Sequence, residues 1–233
     1  MLLADLRQLL AACAPDALPG DYRAAVVEHN VLAKATTANR RETYQRLRQF
    51  YALDPSILIF RALRHLWNAD ETAQPLLALL CVAARDTVVR VTIDFVLDTP
   101  EGSVLTPLVA EAVIQEAFPD HYGAKTLKSM GQHILGTWAQ AGHLRGVIVK
   151  TRAHATATPA ATAYALLLGH LWGARGGALF ETLWARLLDC SPGEMDALAF
   201  AASQRGWINY RRVGPVIEVE FPALLSLLEA THG

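Results

Sequence analysis

Cysteine is scarce, charge is thin and long apolar runs are missing from this 233-residue chain. Its three cysteines, Cys13, Cys81 and Cys190, are odd in number and far apart, and Cys13 and Cys81 are flanked by apolar residues. That usage excludes a disulfide framework and a zinc site, and it predicts buried, reduced thiols in a cytoplasmic protein. The longest apolar run, 76–84, stops at Arg85 and Asp86, and the stretch 160–180 is broken by His170 and Arg175. A membrane helix needs about 20 apolar residues, so no membrane association is expected. The opening MLLADLRQLL has Asp5 and Arg7 inside its apolar stretch and no basic segment before it. It reads as a helix, not as a signal peptide.

What the chain does have is apolar bulk. Hydrophobic residues make up 52 % and charged ones 18 %, a balance that excludes disordered and collagen-like classes. Surface scaling implies that roughly 72 % of the unfolded chain's surface is buried on folding. A core of that size needs no metal or disulfide staple.

Helical periodicity dominates. Helices are predicted near 2–13, 21–33, 39–52, 55–68, 72–84, 86–98, 107–118, 124–141, 159–173, 182–188, 193–205 and 223–230. Asp54-Pro55, Thr106-Pro107, Thr158-Pro159 and Ser191-Pro192 each place a capping side chain before a proline, the grammar of a helix start. Strand patterns are confined to 143–150 and to a hairpin, 207–212 and 216–221, around Val213-Gly214-Pro215. Helix 193–205 running into that hairpin has the outline of a winged-helix unit, and 107–150 repeats it less completely. The expected fold is mainly α: two helical-bundle domains, 1–102 and 103–233, with winged-helix-like units and one or two short β-hairpins. The linker between them is Thr99-Pro-Glu-Gly-Ser103.

The net charge of -1 hides segregation. Within 31–52, Lys34, Arg40, Arg41, Arg46 and Arg48 face Glu42 alone, and residues 53–120 carry a net -6. The 32 residues 121–152 hold Lys125, Lys128, Arg145, Lys150 and Arg152 and no carboxylate. On a helical wheel of 124–141, Lys125, Lys128, Ser129, Gln132 and His133 gather opposite Leu127, Ile134, Leu135 and Trp138. Basic and amide side chains without acids are the set that meets phosphates and base edges; a solvated face is the other reading. In helix 39–52, Arg41, Gln45, Arg48 and Gln49 share a side. Its approach, with Lys34, Asn39 and Arg40, suits an anion; pairing with the acidic middle region is the alternative. Arg211 and Arg212 near the second hairpin's tip fit a wing contact or a solubilising turn.

Catalytic chemistry is not legible. His121, His133, His143 and His154 lie in four different elements without metal-ligand spacing or an accompanying carboxylate. GHLWGARGG is neither a P-loop nor a dinucleotide fingerprint, and its glycines fit close helix packing better. No nucleophile motif occurs. No cofactor, metal or catalytic residue is expected.

Several strings nevertheless carry a family likeness. Asn30-Val-Leu-Ala-Lys34 with Asn39-Arg-Arg, Leu53-Asp-Pro55, Thr126-Leu-Lys-Ser129, Thr137-Trp-Ala-Gln-Ala-Gly-His-Leu-Arg-Gly146, Thr158-Pro-Ala, and Arg205-Gly-Trp-Ile208 with Glu-Val-Glu-Phe221 resemble the BrxA family. These are small components of BREX bacteriophage-defence systems. The resemblance spans nearly the whole chain, most specifically 126–146. It implies a bacterial, mostly helical, non-catalytic protein that binds DNA beside a methyltransferase and an ATPase. Its matched positions include Lys34, Asn39, Arg40, Lys128 and Arg145, while Met130 and Gly136 depart from more polar expected positions.

The sequence therefore points to a non-enzymatic, double-stranded DNA-binding accessory protein of a defence system. Its phosphate contacts would come from Lys34, Arg40, Arg41, Lys125, Lys128, Arg145, Lys150 and Arg152, with Lys128, Ser129, Gln132 and His133 in the groove. Two alternatives stay open. One is a protein-interaction adaptor or homo-oligomer built on Ala/Gly-rich helices and an acidic partner; the other is an RNA-binding helical protein.

Overall fold

Helices begin where the sequence offers a cap. In the computed structural model, which describes residues 1–226, Thr36, Thr106, Thr158 and Ser191 each accept the backbone N–H three residues on. The N-terminal half contains α1 (Leu3–Ala12), α2 (Pro19–Val27), α3 (Thr37–Tyr51), α4 (Leu58–Trp67), α5 (Gln74–Arg85), α6 (Thr87–Val91) and α7 (Ile93–Leu97). Then come β1 (Val104–Leu105), α8 (Pro107–Ala117), α9 (Ala124–Ala141), β2 (Leu144–Arg145) and β3 (Lys150–Arg152). The chain continues through α10 (Pro159–Leu171), α11 (Leu183–Arg186), α12 (Pro192–Gln204), β4 (Asn209–Val213), β5 (Val216–Glu220) and α13 (Pro222–Ser226). The mainly α expectation holds. The end of the predicted helix 223–230 lies outside the described residues.

Departures from the predicted helices have local causes. α2 stops at Val27 because Asn30 and Ala33 turn the chain with φ of 51° and 50°. Asp54 caps a turn instead of a helix, its carboxylate accepting the Ser56 N–H and hydroxyl, and α4 starts only at Leu58. The predicted helix 86–98 breaks at Thr92, whose hydroxyl donates to the Val89 carbonyl and accepts the Trp138 indole N–H.

The core is built around α5. Every residue from 76 to 83 is at most 1 % exposed, and the helix packs against α3, α4, α9 and α10. An all-round apolar helix can only be stable where neighbours cover each face. The expected division into domains at 102/103 does not separate two cores, because one contiguous set of buried side chains runs from Met1 to Leu224. Hydrogen bonds cross the boundary as well: the Leu3 N–H donates to Gln140 Oε1 at 2.9 Å, and the Tyr164 hydroxyl to the Ile59 carbonyl at 2.9 Å. Arg186 on α11 spans Asp94 and Asp98.

Strands are few and short. The first sheet has the order β1-β3-β2, with Val104 opposite Thr151 and Leu144 opposite Arg152. The stretch 143–150, predicted as one strand, instead spans β2, a loop and the first residue of β3. Its apolar residues 147–149 are turned into solvent, so no neighbour holds them extended. The second sheet is the predicted hairpin, with Arg211 opposite Glu218 and Val213 opposite Val216.

Candidate nucleic-acid interface

The order β1–α8–α9–β2–β3, with β3 between β1 and β2, adds two strands to the helix–turn–helix–strand outline read in 107–150 and gives it a winged-helix-like strand order. α9 is its second helix, the element that a helix-turn-helix presents to a groove. Two contacts fix its orientation. Gly131 lies so close to α8 that a Cβ there would meet the Pro107 carbonyl at 2.6 Å and the Glu111 Cγ at 2.7 Å. Trp138 is fully buried, and its indole N–H donates to Thr92 Oγ1 at 3.0 Å.

With Gly131, Ile134, Leu135 and Trp138 facing inward, the opposite side of α9 is open. Lys125, Lys128, Ser129, Gln132 and His133 are all exposed. Among the described residues, no ion pair involves Lys125, Lys128 or Arg145. Among the described residues, these three cations have no ion-pair partner to give up when an anion arrives.

The other predicted contacts divide in two groups. Asn39, Arg41 and Arg48 are exposed on α3, and Thr36 caps the Asn39 N–H at 3.1 Å. Arg40 is half-buried, with Nη1 donating to the Val27 carbonyl at 3.4 Å. Lys150 is half-buried and donates to the Gly146 carbonyl. Lys34 is not a free cation: its Nζ pairs with Asp5 at 2.8 Å. Arg212 reaches Asp196 at 2.7 Å, beside the Tyr210 hydroxyl, which donates to the same carboxylate. These contacts hold the Asp196 carboxyl below its ordinary range. Arg211 stands across the ladder from Glu218, and Asn209 from Glu220, so that strand face carries two acids against one base.

Arg152 is the clearest correction. It is 3 % exposed and locked to Asp189, with Nη1–Oδ2 2.8 Å and Nη2–Oδ1 2.7 Å. It also donates to the carbonyls of His143 and Ala153. No phosphate can reach it. The basic block thus presents four surface cations where the sequence suggested five.

α3 and α9 meet along one groove, which takes in Gln49 alone of the predicted polar side of α3. Arg46, Gln49 and Phe50 of α3, Gln132, His133 and Gly136 of α9, and Val82 of α5 line this groove of about 460 Å³. Arg46 within it pairs with Glu42 one turn back, at 2.7 Å.

Sequence reading missed a carboxylate beside a histidine. Asp189 Oδ1 lies 3.1 Å from His154 Nδ1, in a cleft of about 910 Å³ that also contains Arg186, Cys190, Ser191 and Glu194. No signal pointed to it, since the partners are 35 residues apart. The cleft holds no activated nucleophile next to that pair. Burial pushes the Cys190 thiol up to about 11, and the Ser191 hydroxyl is committed to Glu194 at the start of α12. Cys81 is likewise pushed by burial to about 12, so it stays an inert thiol at neutral pH. Among the described residues, no group of three His, Cys, Asp or Glu could hold a metal ion, and no helix is long and apolar enough to cross a membrane.

No family model, curated protein or solved structure matches this chain.

Proposed function

We propose that this chain is a non-catalytic, double-stranded DNA-binding accessory protein, with α9 as its groove helix. One observation carries the reading. The exposed face of α9 bears Lys125, Lys128, Ser129, Gln132 and His133, with neither lysine in an ion pair among the described residues, on the second helix of a winged-helix-like arrangement. Lysines on such a face position the protein on phosphates, while Ser, Gln and His reach base edges. Arg145 on β2 and Arg41 and Arg48 on α3 are further exposed cations. The likeness of 126–146 to the BrxA family agrees with this reading and supports a role in a BREX-like defence system beside a methyltransferase and an ATPase.

The test is a fluorescence-anisotropy titration of a labelled duplex at several salt concentrations. Phosphate contacts release counterions, so log K falls against log salt with a slope of about -0.9 per phosphate neutralised. Absence of binding at low salt overturns the proposal. Competition by double-stranded RNA of matched length separates the RNA reading.

A second reading, a protein-interaction module, has its own observation. In the C-terminal part Leu171, Trp172 and Phe200 are 40 %, 59 % and 57 % exposed. Apolar side chains of this size in solvent mark interaction surfaces when they are contiguous. Pull-down from nuclease-treated lysate, with Phe200→Ser and Trp172→Ser as controls, distinguishes a protein partner from one tethered through nucleic acid.

A further inference from the structure

The most exposed apolar residues of the described chain are neither in the core nor on α9. Val147 and Ile148 are 91 % and 95 % exposed and Val149 is 57 % exposed, at the tip between β2 and β3. Three consecutive β-branched residues in open water form a surface that folding alone does not explain.

The tip is built to hold its shape. Gly146 has φ of +96°, and a Cβ there would lie 2.0 Å from the Val149 carbonyl oxygen. Only glycine fits where the chain doubles back so closely. Lys150 Nζ donates to the Gly146 carbonyl at 2.6 Å and closes the base of the loop. Val and Ile are stiff at χ1, so ordering them against a partner costs little further freedom.

The charges around the tip select the partner. Arg145 and Lys150 flank it, and the whole segment 121–152 lacks a carboxylate. An apolar point inside a cationic collar fits an anionic surface with an apolar interior. A second copy of this chain would set Arg145 and Lys150 against themselves. A lipid surface demands a larger apolar area or a second anchor for stable attachment. Duplex DNA meets both requirements, since apolar side chains entering the minor groove partly unstack a base step and kink the helix.

We propose that Val147, Ile148 and Val149 form an apolar wedge that enters the minor groove of duplex DNA while α9 occupies the neighbouring major groove. This rests on the DNA-binding reading of α9. It adds a deformation of the DNA that phosphate contacts alone would not produce.

The experiment uses the full chain and a duplex with 2-aminopurine at a central TA step and a donor–acceptor pair on its ends. Wild type is compared with Val147→Ser/Ile148→Ser/Val149→Ser and with Ile148→Leu. All three positions lie in solvent, so the triple change leaves the core intact; circular dichroism checks this. Wild type and Ile148→Leu are expected to raise both 2-aminopurine emission and energy transfer. The triple variant is expected to keep the salt slope, bind about tenfold more weakly and give neither signal. Binding by wild type without unstacking or bending, or equal signals from the triple variant, overturns the wedge and leaves the α9 reading standing. No duplex binding by wild type at low salt overturns both. Tip-dependent pelleting with phosphatidylglycerol vesicles, or a dimer lost in the triple variant, overturns the wedge in favour of that surface.

Discussion

Arg152 and Asp189, 37 residues apart, form a two-point ion pair at the junction of the β1–β3–β2 unit with the C-terminal helices, and only 2 % and 9 % of their side chains are exposed. Asp189 also accepts the Ala155 N–H at 3.1 Å. Burial opposes ionisation of this carboxyl, yet the hydrogen bonds from Arg152 and Ala155 outweigh it and hold the group below its usual 3.8.

Removing one partner leaves the other charge buried alone. Arg152→Ala is expected to destabilise the fold by about 3–5 kcal/mol in urea denaturation, and Arg152→Met/Asp189→Leu by much less. Because the folded carboxyl is more acidic than the unfolded one, the pair's contribution is complete above the unfolded value. It is lost as pH falls through the lowered one. An Arg152→Ala variant as stable as wild type would show that the pair is ornamental.

His143 supplies a second, higher pH window. It is fully buried against Trp138, with Nε2 3.1 Å from the Leu187 carbonyl, and burial lowers its pKa from 6.5 to about 4. The unfolded chain takes up this proton first, so stability is whole above pH 6.5 and falls by roughly 3 kcal/mol on descending to pH 4. His143→Gln should flatten that part of the profile relative to wild type. Parallel profiles for the two proteins would place the loss elsewhere.

Two glycines of α9 should respond in opposite directions. Gly131→Ala pushes a methyl into the Pro107 carbonyl and Glu111, and is expected to cost about 1–3 kcal/mol by forcing α8 and α9 apart. A Cβ at Gly136 would meet nothing within 4 Å, so Gly136→Ala should stabilise by up to about 1 kcal/mol through helix propensity. Thermal melts of the two variants decide it.

Not all cations should matter equally to DNA. Lys125→Ala/Lys128→Ala is expected to make the salt slope shallower by about 1.8 and to weaken all sequences alike. Lys34→Ala and Arg212→Ala should leave the slope unchanged, because their charges already face Asp5 and Asp196. Equal losses across all these variants would mean that total charge, and not α9, governs binding.

Local chemistry was legible in the sequence, and distant pairing was not. Thr106-Pro107, Thr158-Pro159 and Ser191-Pro192 mark helix starts because cap, proline and first turn are neighbours in the chain. The limits of α9 follow from its 3.6-residue pattern between Gly123 and Gly142. β1 escaped notice because two residues have no periodicity, and Val104 is a strand only by virtue of Thr151. The basic face of α9 was readable from the helical spacing of its residues and the absence of carboxylates over 121–152. That Lys34, Arg152 and Arg212 are occupied was not, since Asp5, Asp189 and Asp196 reach them only through the fold. Residues 147–149 misled for a related reason: apolar runs usually mean burial, and only tertiary structure shows a tip with nothing over it.

The burial of α5 on every side has a mechanical consequence. α3 and α9 both lean on it, and a packed helix of about 10–12 Å diameter is a stiff spacer. The polar faces of α3 and α9 cannot swing together or apart without opening the core. Their separation is therefore a fixed gauge, set during folding, against which any partner spanning both helices must be measured.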